Sequence, residues 1–472
     1  MTNSAGPWHL PGLDDPAAGG EREGRTPSGA TFTVPRLDAG GAGQVAAAVR
    51  EAALGTRRER TADEVIEAAA RAAGRLADPD TEPGRRAVEL LAAERDWGEA
   101  LAAETLAGMA GAWRADALRR TVREELGDPD VLDGWTEAPP AGADGRSRRR
   151  RASGPPLLLV VHAGNVPGVA VTAAIRGLVA RSGVLSKAPA AEPGLLALFA
   201  RELARVDPLL GRCLAVTWWP GGEAPAEARA WSEAAGQVVL YGGGEAVRGW
   251  RERLPASTDL LVYGPKVGIG AVLADAARAG EGAEALARDV CAYEQAGCVS
   301  PRVVYVVGDD PMSWARELTA ALEEETGRLD PPAPGPDEAV ALRSARAEAE
   351  FAGHDSEDGR PAVLTDPEGT DWTVIVGGDP APVTEGLPRV VRVHAVEGVP
   401  GLEELLAPLA GRIQALGYAG REGVGGLADL AHRLGVARVA PFGRVAWPPA
   451  DWRHDGRLQI LPLLRWTDRE ER

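Results

Sequence analysis

Two patterns of apolar positions follow one another along the chain. Between residues 43 and 125, Ala, Leu and Val recur every three or four positions among charged residues, which predicts amphipathic helices. Farther on, the apolar residues come in short runs. One of them, Leu157–Val161, is apolar throughout, as is typical of a strand buried on both faces. Residues 1–29 are polar and rich in Gly and Pro, and we expect residues 1–45 to form a loose N-terminal arm with one extended piece at Thr31–Pro35.

The region after residue 157 alternates between predicted strands and predicted helices. Further strands are predicted at 184–187, 214–218, 238–241, 260–263, 269–273 and 303–307, with helices at 168–181, 194–206, 226–235 and 282–296. We expect loops at 126–155, 329–337 and 355–371, and a last strand-like run at 458–464. Repeated strand–helix–strand units predict an α/β fold with a parallel sheet, which binds ligands at the carboxyl ends of its strands.

Length and composition limit the possible classes of protein. A chain of 472 residues is too long for one core, so two or three domains are expected. The net charge of −17 disfavours nucleic acid as a partner, and no apolar run approaches the roughly 20 residues of a membrane span. Three cysteines and no recognisable secretion signal favour the cytoplasm. The six histidines show no metal-ligand spacing, so we expect no metal site.

One basic run interrupts this acidic chain, at Arg146, Arg148, Arg149, Arg150 and Arg151. A solvated surface loop accounts for it. The alternative is a docking site for an acidic carrier or for cofactor phosphates, and the run itself does not decide between the two.

Cys298 is the first candidate for chemistry. It follows the predicted helix 282–296 and precedes the predicted strand 303–307, with Gly297 and other small residues around it. A thiol at such a corner can be reached by a substrate, and a thiolate attacks carbonyl carbon. The alternative is packing, because cysteine is among the most buried residue types.

Three loops follow predicted strands of the first sheet. Asn165 can present an amide donor to an oxyanion, or it can cap the next helix. Lys187 ends a buried strand and can reach a cofactor ribose or phosphate, although most lysines are simply solvated. Gly242, Gly243 and Gly244 form a glycine-rich turn before a helix, which is suited to phosphate but lacks the dinucleotide fingerprint.

Together these segments resemble the aldehyde dehydrogenase superfamily, and more closely its acyl-CoA reductase family, typified by the fatty-acid reductase subunit of bacterial luminescence systems. The resemblance lies in four segments between about residues 157 and 466: HAGNVPG with IRGL and SKAP, VVLYGGGEAV with YGPK, DVCAYEQAGCVSPRVV, and WRHDG with LLRW. It implies a Rossmann-like cofactor domain with the helical segment at 46–262, a catalytic cysteine domain at 263–445, and a C-terminal segment at 446–472 that returns to their interface.

The resemblance also implies roles for individual residues. Cys298 matches the nucleophile that takes the acyl group as a thioester, and Asn165 matches the oxyanion amide. Lys187 matches the lysine at the adenosine ribose or its phosphate, and the turn 242–244 matches the pyrophosphate contact. The implied reaction is reduction of an acyl-CoA or acyl-carrier-protein thioester to an aldehyde. An acyl-activating or acyl-transferring partner enzyme and a homo-oligomer are further implications.

Departures from the superfamily pattern refine this expectation. Val262 stands where hydrolytic aldehyde dehydrogenases carry a glutamate base, which favours transfer to a thiol over hydrolysis. Ala190 stands where NAD-preferring relatives often have an acidic residue, so NADPH is the expected cofactor. The glutamate that holds the nicotinamide ribose has no clear counterpart near residues 389–393.

The remaining candidates favour packing. Cys291 and Cys213 lie in apolar surroundings and are interpreted as core residues. His454 can line the site from the C-terminal end or serve as a structural histidine. Two rival functions stay open, an aldehyde oxidiser and a catalytically inactive scaffold. Val262 argues against the first, and the joint presence of Cys298 and Asn165 argues against the second.

Overall fold

The computed structural model of the chain describes residues 6–138, 148–308, 310–354, 361–366, 369–381 and 386–470. Within them the α-helices are α1 Ala39–Glu59, α2 Ala62–Ala77, α3 Glu82–Arg95, α4 Glu99–Trp113, α5 Ala115–Leu126, α6 Val169–Val179, α7 Pro193–Val206, α8 Pro208–Gly211, α9 Ala226–Ala234, α10 Gly244–Arg253, α11 Ala274–Ala279, α12 Ala283–Cys291, α13 Pro311–Leu329, α14 Pro336–His354, α15 Val399–Leu406 and α16 Val424–Arg433.

The strands are β1 Glu21–Arg25, β2 Thr31–Pro35, β3 Thr136–Glu137, β4 Arg148–Ser153, β5 Leu157–Val161, β6 Gly183–Lys187, β7 Leu214–Thr217, β8 Gln237–Tyr241, β9 Asp259–Tyr263, β10 Val267–Val272, β11 Pro301–Val307, β12 Ala362–Thr365, β13 Thr373–Val376, β14 Val390–Val396, β15 Ile413–Ala419, β16 Arg438–Pro441 and β17 Arg465–Glu470. No helix among the described residues is both long and apolar enough to cross a membrane.

The first large sheet has five parallel strands in the order β7-β6-β5-β8-β9. At its centre Val160 lies beside Ser186 on one side and Val239 on the other. All five residues of β5 are buried, because α1 and α9 cover one face while α2, α6 and α7 contribute to the core on the other. The α/β class predicted from the sequence is confirmed.

The second large sheet has the order β12-β13-β14-β11-β10-β15-β16, and all its pairings are parallel except that of β12 with β13. β12 lies inside the stretch 355–371 that we expected to be a loop. Residues 355–360, 367 and 368 of that stretch are outside the described residues.

The basic run is a strand, so the surface-loop prediction is wrong for residues 148–151. β4 pairs with β3 on one side and with the C-terminal β17 on the other. Asp468 on β17 lies opposite Arg150 and approaches Arg148 to 3.7 Å, while the Arg150 guanidinium stacks over Trp466 at 5.2 Å. Cross-strand charge pairing therefore stabilises this sheet. Arg146 lies outside the described residues.

The apolar run 458–464, expected to be a strand, is instead a turn that ends in the 3-10 helix Leu461–Leu463. Pro462 has no backbone N–H for a strand ladder. The buried Glu125 carboxylate accepts hydrogen bonds from the backbone N–H groups of Gln459, Ile460 and Leu461 at 2.6–2.9 Å. These contacts satisfy the backbone without a neighbouring strand.

The N-terminal arm is held against the first sheet rather than loose. His9 forms an antiparallel bridge with Val216 of the edge strand β7. The β1–β2 hairpin is attached through Arg22, which donates to Glu227 at 2.5 Å and to the Trp218 carbonyl at 3.0 Å. The arm therefore covers part of the free edge of β7. The polar composition of the arm did not indicate this packing.

Candidate active site

A cavity of about 300 Å³ lies where the carboxyl ends of β5, β8 and β9 face the loop that precedes β11. Cys298, Asn165, Gly242 and Gly243 all line this cavity, which we call the thiol cavity. The structure therefore brings together residues that are up to 133 positions apart, as expected from the rule that ligand loops follow parallel strands. Lys187 and Gly244 are not among the residues that line it.

The backbone before Cys298 adopts an unusual conformation. α12 ends at Cys291, and Tyr293, Glu294 and Gln295 have φ values of 38°, 63° and 57°. Left-handed backbone at a residue other than glycine costs roughly 1–2 kcal/mol. The predicted helix 282–296 is therefore wrong over its last five residues, and the surrounding structure must hold this left-handed turn in place.

Each residue of the left-handed turn has its own anchor. The buried Tyr293 hydroxyl donates to the Ala446 carbonyl at 2.9 Å. Glu294 pairs at 2.5 Å with Arg389, which is fully buried. The Gln295 amide donates to the Val390 carbonyl at 3.0 Å and accepts from the Val390 N–H at 2.9 Å. The side chain therefore makes the same two hydrogen bonds to Val390 that the backbone of a neighbouring strand would make.

The two residues between this turn and Cys298 are also constrained. The Asn165 side chain donates to the Ala296 carbonyl at 3.1 Å. A Cβ on Gly297 would lie 2.6 Å from the Tyr293 ring, so only glycine fits there without movement of the ring. Asn165 is not the cap of the following helix, because Gly168 occupies the N-cap position of α6. The amide is therefore directed towards the cysteine loop.

The electrostatics of the thiol cavity are dominated by burial. Burial raises the pKa of Cys298 to about 12, and the negative charge of Asp455 adds to the effect. The positive charges of Arg302 and Lys266, which line the same cavity, oppose it. The thiol is thus protonated at neutral pH in this structure and has to lose a proton before it can attack a carbonyl.

Lys187 lies at the end of β6, buried beside Trp219. Its ammonium is 5.8 Å from the Trp219 ring centroid, and burial lowers its pKa to about 8. No carboxylate among the described residues pairs with it. A buried ammonium without a carboxylate partner suits an anionic or hydroxyl-rich ligand. The turn at 242–244 leads into α10, whose N-cap, Gly243, has no side-chain cap.

Sequence reasoning missed several residues that line the thiol cavity, among them Tyr241, Tyr263, Lys266 and Arg302. Lys266 belongs to the YGPK segment. Its position directly after β9 could have indicated from the sequence that it lines the site, because ligand loops follow parallel strands. His454 also lines the cavity, stacked at 4.6 Å on Tyr263 and at 4.8 Å on Trp452. Burial, followed by the charges of Arg176 and Lys266, lowers its pKa to about 3, so this histidine is neutral.

A second cavity, of about 90 Å³, shares Cys298, Val166, Val169 and His454 with the first. Its other walls come mainly from α4 and from residues 446–452, and they are largely apolar. We call it the apolar cavity. Cys298 therefore lies between a polar space with a glycine-rich turn and an apolar space.

Two α/β units with a thiol between them are the arrangement of an aldehyde-dehydrogenase-like fold. Aldehyde dehydrogenase 21 from Physcomitrella patens has the same fold, with a TM-score of 0.75 at 12% identity over 98% of both chains. An NADP-dependent glyceraldehyde-3-phosphate dehydrogenase from Bacillus halodurans gives a TM-score of 0.70 at 15% identity over 96% of each chain.

Residues 58–466 match the family model of acyl-CoA reductase (LuxC), so the chain belongs to this family and is an oxidoreductase. It is 25% identical over 356 residues to a long-chain acyl-protein thioester reductase of Vibrio harveyi, which covers 75% of this chain and 71% of the relative. The corresponding protein of Aliivibrio fischeri is 25% identical over 358 residues, with the same coverage of each chain. The resemblance inferred from the sequence is confirmed.

Proposed function

We propose that this enzyme reduces an acyl thioester, donated by coenzyme A or an acyl carrier protein, to an aldehyde, with NADPH as the hydride donor and a thioester on Cys298 as the intermediate. The observation that carries the proposal is the shared thiol cavity of Cys298, Asn165 and the glycine-rich turn. The overall change converts one thioester, one NADPH and one proton into an aldehyde, a free thiol and NADP⁺.

Cys298 begins the reaction by losing its proton and attacking the thioester carbonyl carbon. The bond from that carbon to the donor sulfur breaks, and the departing thiolate takes up the proton. The developing oxyanion is stabilised by the Cys298 backbone N–H and by Asn165. An amide carries two N–H donors, so the bond to Ala296 holds Asn165 in position and leaves the other donor for the oxyanion.

The residues of the first sheet fit a phosphorylated cofactor. Lys187 would bind the adenosine ribose or its 2′-phosphate, and the backbone of Gly242, Gly243 and Gly244 would approach the pyrophosphate. Ala190 carries no carboxylate that would repel a 2′-phosphate. The chemistry supplied by this cofactor is hydride transfer to the carbonyl carbon. The bond from that carbon to the Cys298 sulfur would then break as the aldehyde forms, and the Cys298 thiolate would take up the proton consumed in the overall change.

Val262 supports reduction over hydrolytic oxidation. It lies on β9, next to Tyr263 of the thiol cavity. By the sequence resemblance, it matches the position at which hydrolytic aldehyde dehydrogenases carry a glutamate base. Without a carboxylate at position 262 to activate water, the thioester on Cys298 persists until hydride or another thiol reaches it.

The decisive experiment is mass spectrometry of the intact protein after incubation with acyl-CoAs in the absence of NADPH. We expect one acyl group, located on Cys298, which addition of NADPH releases as aldehyde. Absence of any adduct would contradict the proposal. Fast formation of free acid from aldehyde and NADP⁺ without a thiol acceptor would replace it with aldehyde oxidation.

The domain boundaries are also proposed, with residues 46–262 around the first sheet, 263–445 around the second, and 446–472 returning to both. Limited proteolysis should cut near these boundaries. A cytoplasmic location is proposed from the low cysteine content. A homo-oligomer and an acyl-transferring partner enzyme are proposed from the resemblance, and size-exclusion chromatography with light scattering tests the oligomer.

A further inference from the structure

The helical segment reaches the site through Arg95, the last residue of α3. The Arg95 guanidinium donates through one nitrogen, Nη2, to the Gly164 carbonyl at 2.5 Å and to the Glu192 carboxylate at 2.6 Å. Gly164 lies in the loop that follows β5, and Glu192 lies between β6 and α7. Arg95 therefore connects α3 to two loops at the carboxyl ends of neighbouring parallel strands.

The loop at residues 163–165 has few other contacts that fix its backbone. Within the described part of the chain, no backbone group hydrogen-bonds to the backbone of these three residues. A Cβ on Gly164 would lie 3.0 Å from the Ala191 Cβ, so the loop packs closely against the neighbouring one. Because a peptide is planar, the bond from Arg95 to the Gly164 carbonyl also fixes the N–H of Asn165 and the direction in which its side chain leaves the backbone.

The Arg95–Glu192 pair is poorly suited to a purely stabilising role. The two side chains are 12% and 1% exposed, and burial raises the pKa of Glu192 against the opposing charge of Arg95. The Arg95 Nε and one Glu192 carboxylate oxygen have no hydrogen-bond partner among the described residues. A buried ion pair often adds no stability over apolar side chains of similar volume. The contact of Arg95 with Gly164 gives the pair a different role.

Arg95 reaches the reacting atoms only through the loop at 163–165. It lines a cavity of about 680 Å³ with Gly164 and Ala296, and it is not among the residues that line the thiol cavity. Asn165 lies between the two cavities. Its backbone is held from the Arg95 side, and its side chain donates to the Ala296 carbonyl at 3.1 Å.

We propose that Arg95, held in place by Glu192, is a positioning residue for the oxyanion amide of Asn165. The guanidinium holds the Gly164 carbonyl, which keeps the next residue's amide directed at the oxyanion that forms beside Cys298. This inference rests on the proposed function and names the residue that positions one of its catalytic groups. Misplacement of a catalytic group by about 1 Å can cost roughly a hundredfold in rate.

The first test is Arg95→Met, which removes the guanidinium and keeps an unbranched side chain. The probe is whichever acyl-CoA, in a panel from octanoyl-CoA to palmitoyl-CoA, acylates the wild-type enzyme fastest. We expect kcat with NADPH to fall by roughly tenfold or more, while KM for the thioester changes by less than about threefold. Arg95→Lys, whose ammonium can donate to both acceptors, should have a kcat between those of Arg95→Met and wild type.

A second measurement separates positioning of the amide from cofactor binding. The single-turnover rate of acylation without NADPH should also fall in Arg95→Met, because an oxyanion forms in that step. A normal acylation rate in this variant would assign Arg95 to the cofactor and overturn the proposal. Arg86→Met removes an exposed arginine of the same helix, paired with Glu89, so this matched control should behave like wild type.

A double variant keeps the test valid if Arg95→Met does not fold, since that change leaves Glu192 buried without its partner. Arg95→Met combined with Glu192→Leu replaces the pair by apolar side chains and should melt close to wild type. Its kcat should still be lower by roughly tenfold or more. A folded double variant with a kcat near wild type would overturn the proposal.

A double-mutant cycle shows whether Arg95 acts through Asn165. In an Asn165→Ala enzyme, Arg95→Met should lower the acylation rate by less than about twofold further, because the donor that it positions is already absent. Losses that multiply would show independent action and overturn the positioning role. Turnover near wild type in Asn165→Ala, or failure of the whole panel to acylate the wild-type enzyme, would instead overturn the proposed function.

Discussion

At the residue scale, the proposed chemistry depends on Cys298 and Asn165, which both line the thiol cavity. The thiol is partly buried, and burial raises its pKa so that it is protonated at neutral pH. The other two cysteines are fully buried, and burial raises the pKa of the Cys213 thiol to about 11. Accessibility therefore separates Cys298 from the other two, although all three are poor thiolates at neutral pH.

Cys298→Ala should abolish both acylation and aldehyde formation, because no other reachable thiol faces the thiol cavity. Cys213→Ala and Cys291→Ala should retain most activity and serve as controls. Acyl transfer is followed by intact-protein mass spectrometry and aldehyde formation by NADPH oxidation. A Cys298→Ala enzyme that reduces thioesters at a near wild-type rate would exclude a covalent thioester on this residue.

Asn165→Ala should lower kcat by about a hundredfold or more, the usual cost of one oxyanion donor. Its stability should fall by only about 1 kcal/mol, the value of the hydrogen bond to Ala296. Kinetics and thermal melts of the same protein check both numbers. Turnover close to wild type with the same loss of stability would assign the amide a purely structural role.

At the scale of elements, the left-handed turn before Cys298 is the clearest case of imposed backbone strain. Gln295→Leu removes all the hydrogen bonds from this side chain to Val390 and Pro301 while keeping a similar volume. We expect kcat to fall at least tenfold with KM for the thioester little changed, because the cysteine loop is displaced while the cavity walls remain. Steady-state kinetics measure this split, and a rise in KM alone would contradict it.

The turn at 459–461 makes a second prediction at this scale. Glu125→Ala leaves three backbone N–H groups without their acceptor, which should destabilise the protein by roughly 2–4 kcal/mol. Glu124→Ala, at the exposed neighbouring position, is the matched control and should change stability by less than about 0.5 kcal/mol. Denaturant unfolding measures both. Equal effects would show that the carboxylate does not hold this segment.

At the scale of the whole molecule, the proposed cofactor residues lie at the first sheet, and the loop that precedes β11 of the second sheet carries the thiol. The choice of cofactor can therefore be changed without touching Cys298. Ala190→Glu should erode a preference for NADPH over NADH, because the new carboxylate would repel the 2′-phosphate near Lys187. The ratio of kcat/KM for the two cofactors measures it, and acylation without cofactor should be unaffected. Equal use of both cofactors by the wild type would refute the preference.

Local patterns in the sequence were enough to predict the elements with strong periodicity. β5 is apolar because both of its faces are covered, and each loop that follows a strand of the first sheet could be located from the strand alone. The corner position of Cys298 and the family resemblance also came from the sequence, since they depend on short segments in a fixed order.

Only the tertiary structure decided the features that depend on distant partners. α12 looks helical through residue 296, yet it ends at Cys291 because Arg389 and Val390, about 95 positions away, hold the next residues in a left-handed turn. The arginine run becomes a strand because β17 from the end of the chain supplies the opposing acids. No local pattern contains these partners, and the apolar cavity likewise exists only once α4, α6 and the C-terminal segment pack around one cysteine.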